Sequence, residues 1–371
     1  MPNLPVLSSA ASPLLAKSGG ERRVTLKDVA AVAGVSHTVV SIILNGAKST
    51  GIGISDAARE RVVLAAEELG YRRNGSMSAM RSGRFGCVAL LLSTDKNTSA
   101  LPQLVLDGLH DELMEHNVHL SLFRLPDEQL TDPQRLPKIL REWMADGMVV
   151  DYTFAIPPRL IELIDAYKLP AVWFNTWREF DCVRPDDFSA AKALGEHLLQ
   201  LGHRQIVYVD FGHDAGDIEV RGEKSTDHYS AYDRFHGLNS AFEAAGVSMH
   251  SDVGRVSDFR GRLARIKELL GTHHPTAIVS YGGEGMDSSL MAARDLGIEV
   301  PSELSIAGFG SAGMEFLGVP FTAMIVPERE IGRELARTIL QKIEDPEKKF
   351  PVSSIPFAFE VGRTCAPALN R

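Results

Sequence analysis

The stretch VTLKDVAAVAGVSHTVVSIILN, residues 24–45, has the apolar periodicity of two short helices joined by a tight turn. Thr25 stands three residues before Asp28, which is the spacing of a helix-capping pair, and the apolar residues that follow fall on one helix face. Gly34 breaks this helix, and Ser36 can cap a second one. The stretch therefore predicts a helix-turn-helix unit.

The second predicted helix has two different faces. At about 100° per residue, its apolar side chains cluster on one side, and the other side carries His37, Thr38, Ser41, Ile42 and Asn45. A third helix is predicted to begin at Ser55 and to stop at Gly70. We expect a small three-helix core whose second helix turns its mixed polar face outward.

Charge is distributed unevenly along the chain. The 371 residues carry a net charge of −9, which argues against a protein that coats nucleic acid with its whole surface. Residues 22–84 contain ten basic and five acidic residues, a net charge of +5, so the remainder carries −14. Because basic segments neutralise phosphates, we expect this segment to contact double-stranded DNA.

The remaining composition favours a soluble cytoplasmic protein. With 44% hydrophobic and 23% charged residues and no run of about 18 apolar residues, we predict no membrane segment. Residues 1–22 lack the apolar stretch of a secretion signal and are predicted to be a disordered leader. Cys87, Cys182 and Cys365 have neither zinc-ligand nor redox-motif spacing. We predict no metal and no cofactor.

From Gly86 onward, short apolar runs alternate with amphipathic stretches. Runs such as CVALLL, QIVYV and LSIAGF indicate buried strands, and stretches such as SAAKALGEHLLQLG between them indicate helices. Repeated strand-helix units predict parallel sheets with helices on both faces. The region is too long for one compact sheet.

Several motifs in fixed order resemble the lactose/galactose repressor (LacI/GalR) family. The resemblance covers the N-terminal helices and nearly the whole of the larger region. It rests on VTLKDVAAVAGVS from Val24, the pair Leu44 and Asn45, SDAARERV from Ser55, ELGYRRN from Glu68, LGHRQIVYV from Leu201, RFHG from Arg234, PTAIV from Pro275 and VPSELSIAGF from Val300.

The resemblance implies an all-α helix-turn-helix headpiece and an α/β domain with two Rossmann-like lobes, as in periplasmic binding proteins. We therefore predict a leader over residues 1–22, a helix-turn-helix domain over 23–73, a hinge helix or linker over 74–84, and an effector-binding and dimerisation domain over 85–371. The first lobe is expected to end at about Val183.

DNA recognition follows from the resemblance. The second helix is expected to enter the major groove, where its outward residues read base edges. Many relatives carry Arg at the position of Ile42, so the bidentate guanine contact of that Arg is missing here. The predicted DNA-contacting residues are Thr25, Ser36, His37, Thr38, Ser41, Ile42, Asn45, Asn74 and Met80.

Residues 74–84 stand where the family has a linker helix that forms against the minor groove, and Met80 aligns with its apolar wedge. Gly75, Ser76 and Ser78 are poor or middling helix formers in a short segment. We expect this helix to form only with DNA and the partner subunit. The alternative is a plain flexible linker.

The resemblance also implies a small-molecule site in the cleft between the lobes. Arg234, three residues before Gly237, matches the Arg that grips effector oxygens, although it could instead be an exposed helix residue. Trp177 offers a ring for stacking. The predicted effector-binding residues are Ser93, Thr94, Asn175, Trp177, Arg234, Gly282 and Gly310.

Two departures from the family weaken the expected polar clamp. Gly282 and Gly283 stand where relatives have Asn-Asp, and Gly310 and Ser311 stand where they have Asp-Asp or Asp-Asn. A sugar needs paired acceptors, because each unpaired buried polar group costs roughly 1–3 kcal/mol. The effector, a sugar or another metabolite in relatives, is expected here to be bulkier, less polar or absent.

No catalytic set emerges from the sequence. GGEG at residues 282–285 lacks the Lys-Ser/Thr of a phosphate loop, and the pairs at 186–187 and 273–274 are expected at the surface. The leading hypothesis is a ligand-responsive repressor, or less often an activator, that binds a palindromic operator as a homodimer, and not an enzyme. A transport-type binding protein would lack the headpiece. A regulator controlled by a protein partner stays open.

Overall fold

The structure is a computed structural model, and it describes residues 23–45, 53–72, 83–95, 98–130, 137–142, 144–154, 156–220 and 228–369. The chain divides into two units, Met1–Phe85 and Gly86–Arg371. The predicted leader and most of the predicted linker, including Asn74 and Met80, lie outside the described residues.

The first unit contains the helices α1 (Leu26–Ala33), α2 (His37–Asn45) and α3 (Asp56–Glu68). The Asp28 carboxylate accepts hydrogen bonds from the backbone N–H and the hydroxyl of Thr25, at 2.8 and 2.7 Å. Gly34 ends α1 in the left-handed conformation, with φ of 63°. These contacts confirm the predicted helix start and stop.

Apolar side chains from all three helices form the core of the first unit, with Val29, Val40 and Val62 fully buried. The Arg61 Nε–H of α3 donates to the carbonyl of Ala33 at 3.2 Å, which ties α3 to the end of α1. Within the described ranges no single helix is long and apolar enough to span a membrane. Among these residues, the helices Leu26–Ala33 and His37–Leu44 are long and apolar enough only when the two are counted together, and a bend of 108° separates them.

The second unit contains two six-stranded sheets and a two-stranded hairpin. In chain order its elements are β1 (Cys87–Ser93), α4 (Gln103–Glu115), β2 (His119–Leu125), α5 (Asp127–Leu130), α6 (Lys138–Arg141), β3 (Gly147–Asp151), α7 (Pro158–Ala166), β4 (Ala171–Phe174), β5 (Cys182–Pro185), α8 (Asp187–Gln200), β6 (Ile206–Asp210), α9 (Tyr229–Ala244), β7 (Met249–Val253), α10 (Phe259–His273), β8 (Ala277–Ser280), α11 (Gly283–Leu296), β9 (Ser305–Gly310), β10 (Glu315–Phe316), β11 (Val319–Pro320), β12 (Thr322–Ile325), α12 (Glu328–Glu344), β13 (Ser353–Ile355) and β14 (Ala358–Glu360).

Each six-stranded sheet forms the centre of one lobe. The first lobe has the order β13-β5-β4-β3-β1-β2, with every pair parallel. The second lobe has the order β14-β12-β9-β8-β6-β7, parallel except for the antiparallel pair of β12 and β14. Apolar clusters cover both faces of each sheet, which confirms the predicted α/β layers.

The chain passes between the lobes three times. β5 extends to Pro185, two residues beyond the predicted end of the first lobe, before α8 joins the second lobe. α12 and β13 then return to the first lobe, where α12 packs on α4, and β14 ends in the second. No local sequence pattern predicts this return.

Candidate DNA-binding and ligand sites

The outward face of α2 is the candidate DNA-reading surface. Ser36, His37 and Thr38 are exposed, and Ser41 and Ile42 are half-buried. The N–H of Val39 donates to the Ser36 hydroxyl at 3.3 Å, which fixes the first turn of the helix. The structure therefore brings the predicted positions of this helix onto one face, as a DNA-reading helix requires. The side chain of Asn45 is outside the described part of the chain.

The two lobes meet at Asn175, which follows β4 and has a left-handed backbone with φ of 50°. The His228 Nε2–H of the second lobe donates to the Asn175 carbonyl at 2.8 Å, and the Tyr229 hydroxyl donates to Asn175 Oδ1 at 3.1 Å. The rings of Phe154 and His228 also contact across the lobes, 5.4 Å between centroids. A predicted effector-binding residue thus joins the lobes directly.

A chain of hydrogen bonds continues from this contact into the second lobe. His228 Nδ1 lies 2.5 Å from the Ser230 hydroxyl, and that hydroxyl lies 2.6 Å from the hydroxyl of Tyr281. Burial raises the pKa of Tyr281 to about 12, so its phenol keeps its proton near neutral pH. With hydrogen on His228 Nε2, each group donates to the next, from Tyr281 to Asn175.

Arg234 lies at the inner end of this chain and is buried, with 9% of its surface exposed. Its Nε donates to Asp187 Oδ1 at 2.7 Å and its Nη1 donates to the Tyr281 carbonyl at 2.7 Å. The rings of Tyr281 and Phe309 flank the guanidinium, with centroids 4.4 and 4.6 Å from Cζ. The alternative of an exposed Arg is therefore wrong.

Asp187 was expected at the surface and is instead buried, with 1% exposed. Burial raises the pKa of its carboxyl, and the ion pair with Arg234 opposes that rise. The expectation was wrong because Asp187 is the first residue of α8, and this helix start places its side chain in the interior. The neighbouring Asp186 in the sequence gives no sign of that. Nε and Nη1 of Arg234 already donate to groups of the protein itself. These hydrogen bonds therefore give no support to Arg234 as the main polar anchor of a ligand.

The glycines that replace the expected clamp lie at the carboxyl ends of two neighbouring strands. Gly282 lies between Tyr281, which follows β8, and α11, and Gly310 ends β9. A Cβ atom on Gly310 would overlap Cε of Met314, and one on Gly283 would lie 3.3 Å from its Sδ. The thioether of Met314 therefore fills the space that side chains at these positions would use.

Two parts of this chain match models of known protein families. Residues 25–74 match the model of the lacI family of bacterial regulatory proteins, and residues 196–365 match that of a periplasmic binding protein-like domain. The chain belongs to the LacI family. The sequence-based identification of the family and of the fold is confirmed.

LacI-family relatives span nearly the whole chain. The maltose regulon regulatory protein MalI of Escherichia coli is 28% identical over 88% of this chain and 94% of its own length. The regulator DegA of Bacillus subtilis is 29% identical over 85% and 90%. The Lac repressor dimer bound to operator and the anti-inducer ONPF superposes with a TM-score of 0.72 at 17% identity, over 93% of this chain and all of that one. This LacI-family chain is a transcription regulator and not an enzyme.

The first-lobe residues predicted for the ligand site have different surroundings. The Ser93 hydroxyl is buried and lies 3.0 Å from both carboxylate oxygens of Asp127, whereas Thr94 is exposed. Trp177 is half-buried, and the guanidinium of Arg184 stacks on its ring at 3.9 Å. Among the described residues, Nη1 of Arg184 is buried and has no hydrogen-bond partner. Ser93 and Trp177 therefore contact first-lobe neighbours, Asp127 and Arg184.

Several residues of the site were missed in the sequence analysis of this LacI-family chain. Ser230 lies four residues before Arg234 on α9, a spacing that places both on one helix face. Tyr281 directly follows an apolar run read as a strand, a position at which binding residues gather. His228 and Met314 had no such signal, because each lies in a connection between elements.

Proposed function

We propose that this regulator is a repressor that binds a palindromic operator as a homodimer in the cytoplasm, at the nucleoid. The observation that carries the proposal is the outward face of α2, exposed at Ser36, His37 and Thr38 and held by a three-helix core. A helix presented in this way can enter the major groove, and two copies can read two half-sites. The Lac repressor dimer, which has the same fold, is bound to operator in its structure.

We further propose that a small molecule held between the lobes controls DNA binding. The contacts of His228 and Tyr229 with Asn175 link the start of α9 in the second lobe to the carboxyl end of β4 in the first. A molecule that binds there must either keep or replace these contacts. Binding therefore changes the free-energy difference between lobe arrangements, which is the requirement for ligand control.

Control by a protein partner is the second candidate. It is favoured by the pairing of Arg234 with Asp187 and the Tyr281 carbonyl, which leaves these donors no role in holding a polar ligand. If a partner protein replaced the small molecule, no metabolite would change the operator affinity of the full chain.

The DNA proposal predicts a steep salt dependence. Each headpiece region is basic, and a dimer that neutralises six to ten phosphates should lose roughly a thousandfold or more in affinity between about 50 and 200 mM salt. Fluorescence anisotropy with a palindromic operator and with a single half-site measures this. A shallow slope, or equal affinity for the half-site, would contradict a dimeric operator complex.

Ile42 is predicted to contact DNA through an apolar surface such as a thymine methyl group, because it lies on the outward side of α2 and cannot donate a hydrogen bond. Ile42→Arg should therefore change the preferred base at one position of each half-site. Binding-site selection with random DNA measures the change. Leu64→Arg, which adds the same charge at an exposed position of α3, is the control. If the Ile42→Arg consensus equalled that of the unchanged protein, Ile42 would not read a base.

A further inference from the structure

The second-lobe wall of the interlobe site includes the ends of β8 and β9, because the hydrogen-bond chain from Asn175 reaches Tyr281 directly after β8, and β9 pairs with β8. Gly283 and Gly310 contribute no side chains there, and the Met314 side chain, from the connection between β9 and β10, lies over both. A side chain at Gly310 and the present position of Met314 exclude each other. The surface at this point is therefore the thioether of one methionine.

The polar side chains around Tyr281 are paired within the lobe. His213 Nδ1 lies 3.0 Å from Asp210 Oδ2, and the Ser280 hydroxyl donates to the Gly282 carbonyl at 2.7 Å. The Tyr281 hydroxyl is bonded to Ser230, and the rings of His213 and Tyr281 meet edge to face with centroids 4.5 Å apart. Hydroxyl groups of a ligand would have to compete with these existing bonds.

We infer that Met314 is a specificity-determining residue and that the interlobe site takes a planar, weakly polar ligand, such as an aromatic or heteroaromatic ring, rather than a polyol. The inference rests on the proposed function, that a small molecule binds between the lobes. A flat ring gains contact with a polarisable sulfur and with neighbouring ring edges. A polyol would instead lose water without gaining partners on this wall.

Methionine-methyl NMR of the full chain tests the inference. The chain is labelled with ¹³C at the methionine methyl groups, and the Met314 signal is assigned by its loss in Met314→Leu. The planar probes are indole, benzoate and adenine, and the polyol probes are D-ribose and cellobiose. We expect at least one planar probe to move the Met314 signal through its ring current, while the exposed Met114 signal and both polyol titrations show no change.

Affinity measurements extend the test. Met314→Ala should weaken the binding of the active planar probe about tenfold, and Met314→Leu should retain most of it, because leucine restores the apolar contact. Failure of every planar probe to move the Met314 signal would overturn the inference. If a polyol nevertheless raised the melting temperature and altered operator affinity, the proposed small-molecule control would stand while the ligand class would be wrong. If no probe raised the melting temperature, the inference would be wrong, and control by a protein partner would be favoured.

Discussion

The two lobes contain the same sequence pattern in two different environments. Arg234 and Gly237 lie on α9 of the second lobe, and Arg329 and Gly332 lie on α12 of the first, each Arg three residues before its Gly. In both lobes the glycine lets a neighbouring helix approach closely: α8 approaches α9, and α4 approaches α12. The packing solution is therefore shared.

The arginines differ. Arg234 is buried between aromatic rings and pairs with the buried Asp187. The Arg329 side chain is 44% exposed and pairs with Asp107 and Asp111, at 3.5 and 2.8 Å, on the surface of α4. An Arg-x-x-Gly spacing thus predicts a close helix pair, and the surrounding residues decide whether its Arg becomes part of a site.

The buried carboxyl groups of Asp187 and Asp151 also differ between the two lobes. Asp187 in the second lobe has a guanidinium beside it, whereas Asp151 in the first lobe, fully buried at the end of β3, accepts from the Thr153 hydroxyl at 3.0 Å. Burial raises the pKa of Asp151 to about 7, against the smaller opposing effects of its hydrogen bonds from Thr153 and the backbone of Ala100. The first lobe therefore holds a carboxyl group that titrates near neutrality.

The largest difference in stability between the lobes is expected when Arg234 or Arg329 is replaced by alanine. Arg234→Ala leaves Asp187 buried without its cation and should lower the free energy of unfolding by about 3–5 kcal/mol. Arg329→Ala removes exposed ion pairs and should cost less than about 1 kcal/mol. Calorimetry of the full chain measures both.

A double variant separates charge from packing. Adding Asp187→Asn to Arg234→Ala removes the unpaired charge and should recover part of the lost stability. Equal losses for Arg234→Ala and Arg329→Ala would remove the distinction between the lobes. If Arg234→Ala folded with unchanged stability, its burial and pairing would be energetically unimportant.

Local pattern was enough to predict much of the fold. The caps at Thr25 and Ser36 and the break at Gly34 bounded the first two helices, because these signals act within a few residues. Fully apolar strands such as β1 and β6 were also predicted, since buried parallel strands are continuous hydrophobic runs. The sequence MHSDV of β7 alternates less clearly and lies at a sheet edge, so it was missed.

Long-range contacts account for what was not predicted. Arg234 bonds to Asp187 and to Tyr281, each 47 residues away along the chain, so its burial has no local signal. The return of α12 and β13 to the first lobe likewise depends on packing against α4 and β5. The loss of polar side chains at Gly283 and Gly310 was visible in the sequence. Its filling by Met314 was not, because that residue lies in a connection with no periodic pattern.

Asp151 makes the stability of the first lobe depend on pH. Its pKa is about 7 in the folded chain and 3.8 as the ordinary value, so the folded state binds the proton more tightly. Its contribution is full below the ordinary value and is lost as pH rises through about 7. We expect a loss of about 2–3 kcal/mol between about pH 5 and pH 7.

Asp151→Asn should remove this dependence, because the amide does not titrate in this range. Urea unfolding followed by tryptophan fluorescence reports the first lobe, since all three tryptophans, Trp143, Trp173 and Trp177, belong to that part of the chain. The exposed Asp165→Asn is the control and should keep the dependence of the unchanged protein. An identical pH profile for Asp151→Asn would show that Asp151 stays ionised in the folded chain.

Replacing Gly237 or Gly332 by alanine should have the smallest effect on stability, and the two effects should be similar. A Cβ at Gly237 would overlap the Phe188 carbonyl oxygen and lie 2.7 Å from Cβ of Ala191, and one at Gly332 would overlap the Val105 carbonyl oxygen. Either Gly→Ala change forces two helices apart and should cost about 1–3 kcal/mol.

Gly271 on α10 provides the control, because, among the described residues, no atom beyond its chain neighbours and its own helix backbone lies within 4 Å of its Cβ position. Gly271→Ala should stabilise the chain by about 0.5–1 kcal/mol through helix propensity. Calorimetry of the three variants therefore distinguishes close packing from propensity, since the two effects have opposite signs. If Gly237→Ala were costly and Gly332→Ala were neutral, the lobes would differ in helix packing as well as in the use of their arginines, and the shared solution inferred from their spacing would be wrong.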